Sequence, residues 1–311
     1  MSDIEVPISG EQIDLVAGDY TATIASVGAS LRTLRFRDRD LVVPFSADEL
    51  RPSFRGATLA PWPNRIVDGR YTFDGAEQQL PLTEPARGNA LHGLVAWLDF
   101  EVVDRTASSV VLSATIAPQL GYPHRVAVVV SYTLGEAGLE TEVEGTHLGA
   151  GVAPWGASAH PYLLAGPGPV DDWTLIVPAD TVLETAGERL LPAGSHPIDS
   201  VRGGELDFRS ARSIGDTFVD HAYTDVHRDD SGFATVTVTN RAGDAGVALV
   251  WDAACEWVQI HTADRPSPEP SRIGLAVEPM TCAPDAFNSG DGLVRLESGA
   301  SHAASWRIHA L

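Results

Sequence analysis

The chain has 311 residues, 44% of them hydrophobic, an ordinary globular share that is enough for a large core. Its formal net charge of −21, from 21 Lys and Arg against 42 Asp and Glu, argues against nucleic acid and anionic membranes as partners, because phosphate groups bind basic surfaces. The same balance disfavours strongly anionic substrates unless arginines concentrate in one pocket.

The sequence predicts a cytoplasmic protein without a membrane anchor. No stretch approaches the roughly 20 apolar residues of a transmembrane helix. The first residues, MSDIEVPISGEQ, lack the basic and apolar regions of a secretory signal. Cys255 and Cys282 form no CxxC or zinc-binding motif, so we expect both to be reduced rather than paired.

Short segments of alternating apolar and polar residues predict β-strands. Each is rich in Val, Thr, Ile or aromatic residues and is bounded by Gly, Asp, Asn or Pro. In chain order they are RVAVVVSYTL (125–134), LETEVEG (139–145), WTLIVPAD (173–180), ATVTVTN (234–240), GVALVWD (246–252) and WVQIHTAD (257–264). The turn signals DG (74–75), DSG (230–232) and RAGD (241–244) lie between such segments.

Helical periodicity is weak, and the best candidate, residues 47–50, covers a turn or two at most. No internal repeat or low-complexity linker divides the chain. We therefore predict one domain over residues 1–311 with an all-β fold, a large antiparallel β-sandwich with few short helices. In such a fold the loops carry the chemistry, because they lie on the surface of a rigid scaffold.

Five segments interrupt the alternation with Pro, Gly and chemically active side chains. They are LAPWPNRIVDG (59–69), GNALHGLVAW (88–97), WGASAHPYLL (155–164), DTFVDHAYTD (216–225) and GLAVEPMTCAPDAFN (274–288). Taken singly, each residue has a structural explanation, since a lone arginine is usually at the surface and a lone histidine is usually hydrogen-bonded. The combination is more specific than its parts.

The order of these motifs resembles the aldose 1-epimerase (galactose mutarotase) family over nearly the whole chain. The residues that carry the resemblance are Asn64-Arg65-Ile66, Asn89-x-Leu91-His92-Gly93, His160-x-Tyr162, Asp220-His221-x-Tyr223 and Glu278-Pro279 followed by Pro284-Asp285-Ala286-x-Asn288. The resemblance implies a β-supersandwich enzyme that interconverts the α and β anomers of sugars without a metal or an organic cofactor.

The resemblance also implies roles for five side chains. Glu278 would be the general base and His160 the general acid, with His92 near the ring oxygen. Arg65 and Asp220 would bind sugar hydroxyls. These residue types suit anomer exchange, because one proton must leave the C1 hydroxyl while another reaches the ring oxygen. A carboxyl group at the end of an apolar strand should have a raised pKa, and the pKa of an ordinary histidine already lies near neutrality.

Two further residues are assigned to substrate binding. Asn64 precedes Arg65, and Trp155 would supply an aromatic platform for the sugar ring. Trp62, Trp97 and Trp257 also lie near the motifs, and core packing is the better explanation for at least two of the four tryptophans. The resemblance implies a small sugar as the partner, and we expect a monomer or a weak homodimer.

Several positions depart from the common family pattern, and alternatives remain open. Residues 60–66 read APWPNRI, Leu94 replaces a glycine, and Pro161 and Leu163 flank Tyr162. A sugar-phosphate epimerase would need several cations around the phosphate. A glycoside hydrolase could use Glu278 with Asp220, and a carbohydrate-binding protein could keep the pocket without catalysis. No histidine pair with a carboxylate has the spacing typical of metal ligands.

Overall fold

The computed structural model describes residues 6–311, and its composition of 49% strand and 5% helix confirms the all-β prediction. Among these residues, the model contains no helix with the length and apolar character needed to cross a lipid bilayer. The first strands are β1 (Gln12–Ala17), β2 (Tyr20–Ala25), β3 (Ser30–Phe36), β4 (Arg39–Asp40), β5 (Thr58–Leu59), β6 (Arg65–Val67), β7 (Arg70–Phe73), β8 (Ala76–Gln79), β9 (Asn89–Leu91), β10 (Glu101–Arg105), β11 (Ser109–Ile116), β12 (Val126–Gly135) and β13 (Gly138–His147).

The second half of the chain continues in the same way. Its strands are β14 (Val152–Trp155), β15 (Ser158–Ala159), β16 (Tyr162–Leu163), β17 (Thr174–Ile176), β18 (Ala179–Ala186), β19 (Leu191–Pro197), β20 (Arg212–Ser213), β21 (Asp220–Val226), β22 (Ala234–Thr239), β23 (Gly246–Trp251), β24 (Trp257–His261), β25 (Leu275–Met280), β26 (Val294–Glu297) and β27 (Ser301–Ala310). The helical segments are 3₁₀ turns at Pro52–Phe54, Val170–Asp172, Ile198–Ser200 and Arg202–Gly204 and the short helix α1 (Ala286–Ser289).

Each segment that the sequence predicted as a strand contains a strand, and one segment is divided between two strands. Residues 173–180 hold β17 and the start of β18, separated at Pro178, whose missing N–H ends the pairing. Residues 47–50 form a turn and no helix, and the backbone N–H of Ser46 is instead capped by the Glu49 carboxylate at 3.0 Å. The predicted DG turn joins β7 to β8, with both Asp74 and Gly75 at positive φ, as a tight hairpin turn requires.

Two large sheets dominate the fold, and all their strand pairs are antiparallel. One sheet has the order β10-β11-β12-β13-β27-β23-β22-β17-β20. The other has the order β19-β18-β21-β24-β25-β15-β5, with β16 also paired to β25. Strand β12 shows the expected alternation, since Val126, Val128 and Val130 are buried and the residues between them are partly exposed. Strand β25, in contrast, is buried at every position.

The largest hydrophobic cluster contains residues of both sheets and runs from Ile13 to Ile308 in the sequence. We therefore propose that residues 1–311 form one domain. Cys255 and Cys282 are both buried and unpaired. The polar exception inside this apolar interior is the group of side chains around β24 and β25.

Candidate active site

A polar cavity of about 550 Å³ lies against β21, β24 and β25, with loops forming its sides. Six of the seven residues that the sequence predicted for the site line it: Asn64, Arg65, His92, His160, Asp220 and Glu278. The fold thus brings together residues from distant parts of the chain.

Glu278 lies inside β25 and not at the strand's end as the sequence suggested, since the strand continues to Met280. It is 2% exposed and pairs in register with Gln259 of β24. Burial raises the pKa of Glu278 well above the usual carboxyl range, the charge of Asp220 raises it further, and Arg65 opposes the shift. Its Oε2 has no hydrogen-bond partner among the described residues, so this oxygen is free to bind a ligand.

His160 follows β15 and faces Glu278, with 3.4 Å between its Nε2 and Glu278 Oε1. Its ring stacks on Tyr162, with ring centres 5.0 Å apart and planes inclined by 12°. Burial lowers the pKa of His160 well below its ordinary value, and the neighbouring His92 lowers it further. The expectation of a histidine titrating near neutrality is therefore wrong, because the ring is removed from water.

His92 follows β9 in a turn with φ of 61°. Its ring lies edge-on to His160, with centres 5.1 Å apart, and also contacts Phe54 at 4.8 Å. Burial lowers the pKa of His92 well below its ordinary value, and the charge of Arg65 acts in the same direction. The imidazole is therefore neutral at pH 7, with one ring nitrogen that donates a hydrogen bond and one that accepts.

Gly93 makes this turn sterically feasible. It has φ of +71°, and a Cβ added at this position would lie 2.1 Å from the carbonyl oxygen of Ala60. Only glycine lets the loop approach so closely. The turn also fixes His92 against the neighbouring loop, because the His92 N–H donates to the carbonyl of Asn64 at 2.8 Å.

Arg65 is held by a carboxylate that the sequence analysis missed. Its Nε and Nη2 donate to the two oxygens of Glu84 at 2.9 and 3.1 Å, and both side chains are only 10% exposed. Arg87 and Asn89 donate to the same carboxylate. Burial alone would raise the pKa of Glu84, but these hydrogen bonds and the Arg65 charge lower it overall. No pattern in the sequence marks Glu84, because its pairing with Arg65 forms only in the folded chain. The side-chain oxygen of Asn64 accepts from the N–H of Arg65 at 2.9 Å.

Asp220 begins β21 and is oriented by β24. The Nε2 of Gln259 donates to Asp220 Oδ1 at 2.7 Å, and His261 Nδ1 lies 3.7 Å from the same oxygen. Gln259 and His261 were not predicted as site residues, although the sequence carried a signal. Both are polar residues on one face of an otherwise apolar strand, and buried polar side chains need partners.

Trp155 is the predicted residue that lies elsewhere. Its side chain is fully buried in the main core, where a Cβ added to Gly145 would overlap its ring. Trp62 and Trp257 are likewise buried, and the half-exposed Trp97 packs under the guanidinium of Arg51. None of the four lines the cavity, whose aromatic walls are Phe54, Tyr162 and Phe218. The position of Trp155 does not support the sugar-binding role assigned to it, because apolar neighbours bury it.

The donor atoms of His92, His160 and Glu278 lie within 4.8 Å of one another, close enough to surround a metal ion. However, neither histidine Nδ1 has a hydrogen-bond partner in residues 6–311, whereas metal-bound imidazoles usually have one that orients them. A carboxyl group and an imidazole that are both kept uncharged by burial can instead share one proton. This arrangement suits general acid–base catalysis on a polar ligand.

The sequence of this chain is similar to those of known proteins. The model of the aldose 1-epimerase family matches residues 11–309. The chain is 37% identical over 318 residues to YihR, an uncharacterized protein of Escherichia coli K12, and the match covers 99% of each chain. It is 31% identical over 229 residues to the galactose mutarotase of Rattus norvegicus, covering 68% of this chain and 65% of that one.

The fold comparison agrees with the sequence comparison. The crystal structure of an aldose epimerase homologue from C. elegans superposes with a TM-score of 0.82, covering 97% of this chain and 98% of the other. The two sequences are 19% identical, so this likeness concerns the fold alone.

Proposed function

Because this chain belongs to the aldose 1-epimerase family, we propose that it is an isomerase that interconverts the α and β anomers of a free aldohexose. The observation that carries the proposal is the buried pair of Glu278 and His160, 3.4 Å apart, at the wall of a polar cavity. A carbohydrate-binding protein would not need such a pair, because a carboxyl group without hydrogen-bonded partners is costly to bury.

The pair supplies both proton transfers of ring opening. Transfer of the shared proton from Glu278 to His160 gives a carboxylate and an imidazolium. The carboxylate then accepts the proton of the C1 hydroxyl while His160 donates its proton to the ring oxygen, so the bond from C1 to the ring oxygen breaks and a C1 aldehyde forms. Rotation about C1–C2 and closure on the other face reverse both transfers. No covalent intermediate is needed.

The remaining residues hold the sugar. Arg65, oriented by its bidentate contact with Glu84, presents donors to sugar hydroxyls, and Asp220, oriented by Gln259, presents an acceptor. His92 lies beside His160, where its neutral imidazole can hydrogen-bond to the ring oxygen or a neighbouring hydroxyl. Oriented donors and acceptors keep C1 within reach of the proton-transfer pair.

Polarimetry tests the proposal directly. We expect the protein to accelerate the decay of optical rotation in freshly dissolved α-glucose or α-galactose, both before and after prolonged dialysis against EDTA. A rate equal to that of the buffer alone with every aldohexose would refute the proposed activity. A rate lost after EDTA and restored by a divalent ion would refute the metal-free mechanism.

A sugar phosphate is the second candidate, and one observation favours it. Arg87 and Arg265 line the cavity together with Arg65, the one arginine that the sequence motifs predicted for the site. Arg265 donates to Ser53 Oγ at 2.7 Å and forms no ion pair with a carboxylate in the part of the chain that the structure describes. It is therefore available to bind an anionic group.

The balance of charge still favours a neutral sugar. Four carboxyl groups besides the uncharged Glu278 line the cavity with these three arginines, and one of the four, Glu84, already neutralises part of the arginine charge. We expect a higher kcat/KM for glucose than for glucose 6-phosphate. The reverse order, abolished by Arg265→Met, would establish the second candidate.

A further inference from the structure

The hairpin formed by β18 and β19 reaches from the edge of its sheet to the cavity. Its tip, residues 187–190, turns with Gly187 and Leu190 at positive φ, and Leu190 N donates to the Gly187 carbonyl at 3.2 Å. Two residues of the tip, Glu188 and Leu190, line the cavity. The hairpin tip therefore forms part of the wall of the cavity that the residues of the proposed function also line.

The outer part of this hairpin is not anchored by a core of its own. Val182 and Leu183 are buried, but no residue from 184 to 197 is. The change occurs at a β-bulge between Leu183 and Thr185, where the pairing register shifts. Bulges bend a strand and change its direction. Because the outer part buries so little, contacts elsewhere must hold the tip in place.

Those contacts come from the end of the loop that precedes β9, from the first residue of β9 and from the turn between β6 and β7. The guanidinium of Arg189 donates to the carbonyl of Arg87 at 2.7 Å and to Asp68 Oδ1 at 2.6 Å. In return, the Nε of Arg87 donates to the carbonyl of Glu188 at 2.9 Å, and Asn89 donates to the carbonyl of Arg189 at 3.3 Å. We call this reciprocal set of hydrogen bonds the Arg87–Arg189 latch.

The latch continues into the sugar-binding residues. Arg87 Nη1 donates to Glu84 Oε1 at 2.8 Å, and Glu84 orients Arg65. The position of the hairpin tip is therefore coupled, through shared hydrogen bonds, to the guanidinium that faces the ligand. A displacement of the tip would remove one cavity wall and loosen the support of Arg65.

The geometry points to Glu188 and Leu190 as substrate-contacting residues that determine specificity, with Arg189 as the positioning residue that holds them. This inference rests on the proposed function for the identity of the ligand. The Glu188 carboxylate accepts hydrogen bonds from sugar hydroxyls and repels anionic substituents, while Leu190 packs against the apolar face of the ring. The latch affects sugar binding and leaves proton transfer to Glu278 and His160.

The test compares two variants with matched controls in the full-length chain. Arg189→Met removes the latch hydrogen bonds that the Arg189 guanidinium donates, and Glu188→Gln removes the carboxylate charge at the tip. Glu184→Gln is the control on the same hairpin, since Glu184 does not line the cavity and faces His196 at 3.7 Å. Arg241→Met is the control for loss of an arginine, because that side chain is 86% exposed.

We expect Arg189→Met to raise KM for the aldohexose about tenfold with kcat within about twofold, as removal of binding interactions alone predicts. Amide hydrogen exchange should accelerate together at residues 187–190 and 85–89 in this variant. Glu188→Gln should raise KM for the aldohexose. It should also bring the kcat/KM values for glucose and glucose 6-phosphate closer together. Both controls should match the wild type.

Unchanged KM in both Arg189→Met and Glu188→Gln would overturn the inference, as would a fall in kcat at constant KM. Equilibrium binding of glucose and galactose separates this failure from failure of the proposed function. If the wild type binds an aldose without turnover, the proposed function fails, and weaker binding by the two variants still supports the role of the hairpin tip. A wild type that binds no aldose would overturn both.

Discussion

At the level of single residues, burial controls the protonation of the two catalytic candidates, Glu278 and His160. Glu278 has a raised pKa and the neighbouring His160 has a lowered one, in both cases chiefly because the charged form loses contact with water. Together they hold one proton over the pH range between the two values. This shared proton allows each group to act as acid in one direction and base in the other.

The pH dependence of kcat/KM should therefore report the pair. At pH values below the acid limb of this profile, His160 and Glu278 are both protonated. No base then remains, so activity is lost as pH falls. Because burial lowers the pKa of His160, this limb should lie below pH 6.5, the ordinary histidine value. Initial rates of mutarotation, corrected for the buffer reaction at each pH, measure it. An acid limb at or above pH 6.5 would indicate a solvated histidine instead.

Glu84 provides a second prediction at this scale. Glu84→Gln leaves the Arg65 guanidinium without its carboxylate partner in a site where both side chains are 10% exposed. We expect a loss of about 2 kcal/mol in the free energy of unfolding, because a hydrogen-bonded buried charge loses its partner. KM should rise more than kcat falls, since the role proposed for Arg65 is to bind the sugar and not to transfer a proton. Urea unfolding and initial rates measure the two effects. Glu77→Gln, on the exposed strand β8, is the control, and equal stability of the two variants would contradict the account.

At the level of secondary-structure elements, loops place the site residues. The path of each loop depends on the backbone conformation of specific residues. Gly93→Ala should cost about 3 kcal/mol in unfolding free energy, because a methyl group at positive φ would also collide with the Ala60 carbonyl. Gly75→Ala is the matched control, with φ of +80° but no heavy atom within 4 Å of the added Cβ. It should cost about 1 kcal/mol, the backbone penalty alone.

Chemical denaturation of the two glycine variants separates conformation from packing. If both lose the same free energy, the close approach of the Gly93 loop to Ala60 does not constrain the fold. If Gly93→Ala alone also loses mutarotation, the turn is needed to hold His92.

The predictability of each element follows from what it buries. Strands β12 and β22 bury one face, so alternation revealed them in the sequence. The outer part of the β18–β19 hairpin buries neither face, and its polar residues resemble a loop. Motif order indicated Glu278 and His160, but Glu84 and Glu188 are isolated acids that belong to none of the motifs. Only the folded chain shows what they contact. The prediction for Trp155 failed in the opposite way, because this residue lies near a motif in the sequence but does not line the cavity.

At the level of the whole molecule, the hydrophobic cluster from Ile13 to Ile308 predicts that the chain unfolds as one cooperative unit. We expect a single unfolding transition in urea, with coincident curves from far-ultraviolet circular dichroism and tryptophan fluorescence. Strands of both large sheets contribute to this cluster, so neither sheet should unfold alone. Two separated transitions would show that the 311 residues form more than one domain.

Glu278 is the proposed base of the sugar-isomerising reaction, and its substitution is the most direct test of that proposal. Glu278→Gln preserves the size of the side chain and removes the carboxylate that we propose as acceptor of the C1 proton. Polarimetric mutarotation rates on folded, sugar-binding protein should fall by about 10²–10⁴-fold, the usual cost of losing a positioned acid or base, while sugar affinity changes little. Turnover within about threefold of the wild type, far short of that range, would make Glu278 structural and leave the mechanism without its base.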